Sequence, residues 1–136
     1  MDQTSIFAPM GALVALTFVV LSLIPFQRFR AAFAGQVGAD DFKFGESARV
    51  PGNVSIPNRN YMNLLELPML FYVLCIALFV TGRVTAIEVD LAWVYFALRA
   101  GHSLVHLTVN QVFVRLALFA SSNVVLGVMW LLFFLR

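Results

Sequence analysis

Residues 116–135 read LALFASSNVVLGVMWLLFFL and carry no charged side chain. As a helix rising 1.5 Å per residue, such a run spans about 30 Å, the thickness of a bilayer's hydrocarbon core. Towards the N-terminus, residues 91–114 (LAWVYFALRAGHSLVHLTVNQVFV) hold Arg99 as their only formal charge, with His102 and His106 beside it. Residues 60–82 hold Glu66 alone, and residues 4–27 hold no charge. These runs are too long and too evenly apolar for barrel strands, and in lipid only helices and closed barrels satisfy every backbone N–H and C=O. The expected fold is all-α: an integral membrane, antiparallel four-helix bundle forming one domain over residues 1–136. Its helices are expected over about 4–27, 58–82, 89–108 and 111–135, with a long loop over about 28–57.

Composition agrees. The 136 residues are 61% hydrophobic and 12% charged, against about 25% charged in soluble domains. A soluble globular enzyme and a disordered chain are both excluded. Nine basic and seven acidic residues give a net charge of +2. No cluster of four basic residues exists, so no nucleic-acid partner is expected. The single cysteine, Cys75, sits in an apolar run. It excludes an internal disulfide framework and reads as a small core hydrophobe. The opening Met1-Asp2-Gln3 lacks the basic stretch of a signal peptide, so the first apolar run is expected to be retained. Asn58, directly after Pro57, is expected to cap the second helix.

Basic residues set the expected orientation. Arg28, Arg30, Lys43 and Arg49 lie in the long loop, with Arg59 and Arg115 at helix ends on that side; Arg83 and Arg136 lie on the other. By the positive-inside rule the long loop and the turn near Thr108–Gln111 face the cytoplasm, and both termini face outward.

Charges inside lipid are the chemically informative residues. Each costs about 2.5–3.5 kcal/mol at mid-membrane on insertion scales, so Glu66 and Arg99 must face protein or water. In an antiparallel pair of helices they stand level and are expected to pair. Arg59, Asn63 and Glu66 follow i, i+4, i+7 and share one helix face. Arg99, His102, His106 and Asn110 follow i, i+3, i+7, i+11 and share another, with Ser103 beside them and Arg115 across the short turn. The two stripes converge towards the cytoplasmic side. Three arginines against one carboxylate suit an anionic ligand, because a guanidinium grips carboxylate through two parallel hydrogen bonds. A ligand with several carboxylates and an ammonium group for Glu66 fits, and glutathione has that chemistry. His102 and His106, at i, i+4, have zinc-ligand spacing, but the neighbouring arginines repel a cation and no metal is expected.

Arg59-Asn60-Tyr61-Met62-Asn63-Leu64-Leu65-Glu66-Leu67-Pro68 resembles the R-x-x-x-N-x-x-E-x-P signature of the MAPEG family, membrane-associated proteins in eicosanoid and glutathione metabolism. The segment Arg99-Ala100-Gly101-His102-Ser103-Leu104-Val105-His106, followed by Arg115, also looks like that family, as do the length and the helix count. The chain resembles a bacterial-type member of the family, of the microsomal glutathione transferase kind. The resemblance implies a homotrimer in the membrane (the inner membrane, in a bacterium), with glutathione as co-substrate bound between subunits near the cytoplasmic face. It implies that Arg59, Asn63, Glu66, Arg99, His102 and His106 hold glutathione. Arg115 matches the arginine that lies near the glutathione sulfur in family enzymes, which makes it the expected catalytic residue. A lipophilic second substrate, an electrophile or a lipid hydroperoxide, would arrive from the bilayer. Position 106 departs from the pattern: it is His where eukaryotic members commonly carry tyrosine. The family also has a non-catalytic scaffold member, so the resemblance leaves two functions open. One is glutathione transferase or peroxidase; the other is a lipid-binding or scaffold membrane protein of the same fold.

Overall fold

The computed structural model describes residues 2–136 and is all-helical among them. A short 3-10 turn, Gln3–Ile6, is capped by the Asp2 side chain, which accepts from the Thr4 N–H. Then come α1 (Phe7–Phe33), α2 (Gly52–Leu65), α3 (Pro68–Val80), α4 (Ala86–Leu107) and α5 (Val112–Leu135). Three stretches are long and apolar enough to cross a membrane: Gln3–Phe33, Gly52–Val80 and Val112–Leu135. Large apolar side chains such as Phe18, Val19, Val124 and Leu131 point outward along them, far beyond what a soluble monomer exposes. The protein is an integral membrane protein.

Four features differ from the sequence expectation, each for a local reason. The first helix does not stop near residue 27 but runs to Phe33. Arg28, Arg30 and two alanines are good helix formers, and the stop signal is Gly35, which takes the left-handed φ of +71°. There the Gln36 N–H bonds back to the Ala31 carbonyl at 2.9 Å and closes the last turn. The second helix begins at Gly52, not at residue 58, so the loop is confined to residues 34–51. Pro51 is its N-cap, and Asn58 lies inside the helix rather than capping it. Pro57 lies inside the helix, in its second turn, and leaves the Asn53 carbonyl without the usual N–H from four residues on.

The third difference matters most for the site. The second span is two helices, broken at Glu66–Leu67. Pro68 has no N–H to return to the Leu64 carbonyl, and it disfavours helical geometry at the preceding residue. Pro68 instead opens α3, where a proline fits the first turn. Fourth, α4 starts at Ala86, because Thr85 and Glu88 form a capping box.

Helix α4 is not among the apolar span candidates. One face of it packs against α1, α2 and α5, while Ile87, Trp93, Val94 and Leu104 on the other face are exposed. Arg99, His102, Ser103 and His106 are all buried along the packed face. The main core, including Leu13, Leu64, Phe71, Leu74, Tyr95, Leu126 and Met129, lies against that face. Phe71 and Tyr95 stack there with ring centroids 4.6 Å apart. Cys75 is a free, buried thiol in the same core. At the end of the bundle away from the α4–α5 turn, Arg136 pairs with the buried Glu88 at 2.9 Å, and Gln3 exchanges hydrogen bonds with the backbone of Val84.

Loop 34–51 is organised by Asp41. Its carboxylate accepts from the Gly38 N–H at 2.9 Å and the Ser47 hydroxyl at 2.8 Å, while the Ser47 N–H donates to the Asp41 carbonyl. The Gly38 bond foremost, then the Ser47 bond, holds the Asp41 carboxyl below its usual pKa. Its contribution to loop stability is therefore full above the ordinary carboxylate value and lost as pH falls through the lowered one. Amide exchange at Gly38 and Ser47, corrected for intrinsic rates, should stay slow from neutral pH down to the ordinary carboxylate range and accelerate below it. Asp41→Asn should make both amides exchange rapidly at neutral pH. Slow exchange in that variant would show that the carboxylate does not hold the loop.

Candidate functional site

The break after α2 creates the site. Where the helix would have continued, the Asn63 carbonyl loses its intrahelical partner. Arg99, fully buried on α4, donates from Nη2 to that carbonyl at 2.5 Å. The expected Glu66–Arg99 pair does not form: no ion pair joins them among the described residues. Glu66 is the exposed C-cap of α2, turned away by the same break that hands Arg99 a main-chain acceptor. A carbonyl at a helix C-terminus carries partial negative charge, which favours a buried guanidinium. The face of that guanidinium lies 5.5 Å from the centroid of the Phe119 ring on α5, within cation–π range.

Around Arg99 the polar stripe of α4 meets α2 and α5. The Ser103 hydroxyl donates to Asn60 Oδ1 at 3.2 Å, tying α4 to α2. The His102 and His106 rings meet edge to face, 5.7 Å between centroids, and His102 also contacts the Phe119 ring. Asn110 adopts a left-handed φ of +50° in the α4–α5 turn, and its Oδ1 accepts from Arg115 Nη1 at 2.6 Å. This fixes Arg115 from the turn side.

Beside these residues is an open surface pocket of about 210 Å³ lined by Asn63, His102, Val112, Arg115, Leu116 and Phe119. Arg99 borders it through its contacts with Asn63 and Phe119. No carboxylate lines it. Several buried polar atoms in this region have no partner: Asn60 Nδ2, Arg99 Nε and Nη1, His102 Nδ1, His106 Nδ1, Arg115 Nε and the Tyr95 hydroxyl. Buried polar groups are paired in the great majority of cases, so these side chains are under-satisfied within the single chain. Four of the seven are N–H groups of guanidinium or amide, donors that match acceptor atoms.

Of the residues singled out in the sequence, the fold brings Asn63, His102 and Arg115 to the pocket wall and Arg99 to its border. His106 is buried one turn beyond His102. Arg59 and Glu66 are exposed on the surface of a single chain and do not line the pocket. Sequence reasoning missed Phe119, Asn60 and Tyr95. The signals were present: Phe119 is i+4 from Arg115, Asn60 is i−3 from Asn63, and Tyr95 is i−4 from Arg99, each on the face of a residue already chosen.

No curated protein and no solved structure matches the chain. The model of the MAPEG family matches residues 6–135. It covers α1 to α5, the broken second span with its Arg59, Asn63, Glu66 and Pro68, and the buried polar helix α4. The chain belongs to the MAPEG family.

Proposed function

We propose that the protein is a membrane-bound, glutathione-dependent transferase or peroxidase that acts as a homotrimer, with its site near the cytoplasmic face. The observation that carries this reading is the carboxylate-free pocket of Asn63, His102 and Arg115 beside the buried Arg99. Two buried or half-buried guanidinium groups with unpartnered N–H groups offer charge-assisted hydrogen bonds to a ligand's carboxylates. The family includes glutathione transferases and peroxidases as well as non-catalytic members, and these donors favour the former.

In this reading glutathione's carboxylates lie against Arg99 and His102, and its sulfur lies near Arg115. The thiol gives its proton to solvent. The sulfur then forms a C–S bond to a lipophilic electrophile that arrives through the bilayer, the electron pair leaving with the displaced group; with a lipid hydroperoxide it breaks the O–O bond, releasing the lipid alcohol after proton uptake and leaving a glutathione sulfenic acid, which a second glutathione converts to the disulfide and water. Arg59 and Glu66, exposed on one chain, would complete the site from the neighbouring copy, which gives the trimer a chemical purpose. His106 stands ready to donate a hydrogen bond where relatives use tyrosine.

Isothermal titration of the detergent-solubilised protein with glutathione tests the reading. Saturable binding is expected, weakened roughly tenfold by Arg59→Ala and by Glu66→Ala, as loss of a charged hydrogen-bonding group costs about 1.5–3 kcal/mol. Absence of saturable binding, or binding unchanged by both substitutions, would remove glutathione as the ligand. Chemical crosslinking in membranes should stop at three copies; a product that never passes one copy would remove the trimer.

A further inference from the structure

A second concavity lies elsewhere. It is a groove of about 500 Å³ between the C-terminal third of α1 and the loop that follows. Ile24, Pro25, Phe29, Val37 and Phe42 line it, with Arg28 among them, and it shares no residue with the pocket beside Arg99. Its volume falls in the range of small-molecule sites.

The depth of the groove indicates its occupant. Helix α1 has 27 residues, about 40 Å at 1.5 Å per residue, so it outruns a hydrocarbon core of about 30 Å by roughly two turns. Counted from Phe7, about 20 residues at 1.5 Å each cross that core, which sets Ile24 and Pro25 near its end and Arg28 about one turn beyond. Phe33 on α1 and Phe44 on the loop are 90% and 93% exposed. Aromatic rings so bare fit the bilayer boundary and not bulk water. Exposed Phe18, Leu21, Phe26 and Phe29 lie along α1 as it approaches the groove.

The polar end of the groove is built as well. The Arg28 guanidinium stacks on the Phe42 ring at 4.5 Å, and Nη2 donates to Glu46 Oε1 at 3.3 Å. Arg28 Nε is buried and has no partner. Phe42 is held in place by the Asp41 turn and by packing against the small second core of Ala31, Val37 and Val54. A cation clamped between an aromatic face and a single long carboxylate contact is matched by an anion approaching along the apolar wall.

We infer that this groove binds an anionic phospholipid of the surrounding bilayer, one acyl chain lying along Ile24, Pro25 and Phe29 and the phosphate displacing Glu46 from Arg28. Glu46 is then the competitor that keeps Arg28 neutralised when no lipid is bound. The site is independent of any glutathione chemistry.

Native mass spectrometry of the full chain, extracted from phosphatidylcholine vesicles containing phosphatidylglycerol, tests this. Phosphatidylglycerol should be retained in preference to phosphatidylcholine. Arg28→Ala should lower that preference roughly tenfold, and Glu46→Gln should raise it. Ala32→Trp, which fills the groove from α1, should abolish retention of either lipid. Arg30→Ala, which faces a separate recess with Gln27 and Asn53, should change nothing. Three results would each overturn the inference: a preference indifferent to Arg28 and Glu46, retention unaffected by Ala32→Trp, or an Ala32→Cys variant that crosslinks to a second copy and so shows the groove filled by protein.

Discussion

Arg99→Met is expected to leave the melting temperature of the solubilised protein almost unchanged while weakening glutathione binding by at least about thirtyfold. The two effects separate because different terms govern them. Burying a guanidinium at membrane depth costs about 2.5–3.5 kcal/mol. Its bond to the Asn63 carbonyl and its contact with Phe119 return a similar amount, since a charged hydrogen bond contributes about 1.5–3 kcal/mol. Methionine fills much of the space and asks for no partner, so the net change in stability should be within about 1 kcal/mol. Binding has no such compensation. Removing a buried charge that faces a ligand carboxylate costs about 2 kcal/mol or more, which sets the thirtyfold floor. Thermal melting followed by the fluorescence of Trp93, on the same helix, together with glutathione titration, measures both. Unchanged binding in a folded Arg99→Met protein would take Arg99 out of the site.

Arg115→Ala is expected to spare binding and to remove the thiolate. Arg115 lines the pocket and is held by Asn110 through Nη1, and in the proposed reading its guanidinium faces the ligand's sulfur. A free thiol has a pKa of about 8.5 and the thiolate is the nucleophile. Lowering that value by about two units takes about 2.7 kcal/mol of differential stabilisation, which a partly desolvated guanidinium can supply. In the native protein at neutral pH about three-quarters of bound glutathione should then be thiolate; in Arg115→Ala, about 3%. Ultraviolet difference absorbance during a pH titration reads this directly: the midpoint should move up by about two units, and the variant should recover its signal when pH is raised past the free-thiol value. A midpoint that stays in place would assign thiolate stabilisation to another group.

Much of this molecule was legible in its sequence, and the reasons are local. Runs without charge report membrane spans because insertion energy is close to a sum over single residues. Arg99, His102 and His106 could be placed on one face of a helix because helical spacing depends only on residue number. The errors were non-local or depended on small backbone choices. Pro25 and Gln27 looked like an end to α1, but Gly35 ended it, because only there does the chain reach a left-handed turn. Pro68 lay inside a helix expected to run unbroken over 58–82, yet it splits the second span, and Glu66 falls at the break.

The sequence by itself determined that this chain is a helical membrane protein with a polar stripe along one of its helices. Only the tertiary structure decided what the charge on that stripe meets. Arg99 finds the main-chain carbonyl of a residue 36 positions away instead of the carboxylate level with it, and Phe119, from the last helix, closes over it. A hydrogen bond of that kind rests on where one helix breaks beside another. Apolar periodicity cannot report it, because the acceptor is a backbone carbonyl that any residue at position 63 would carry.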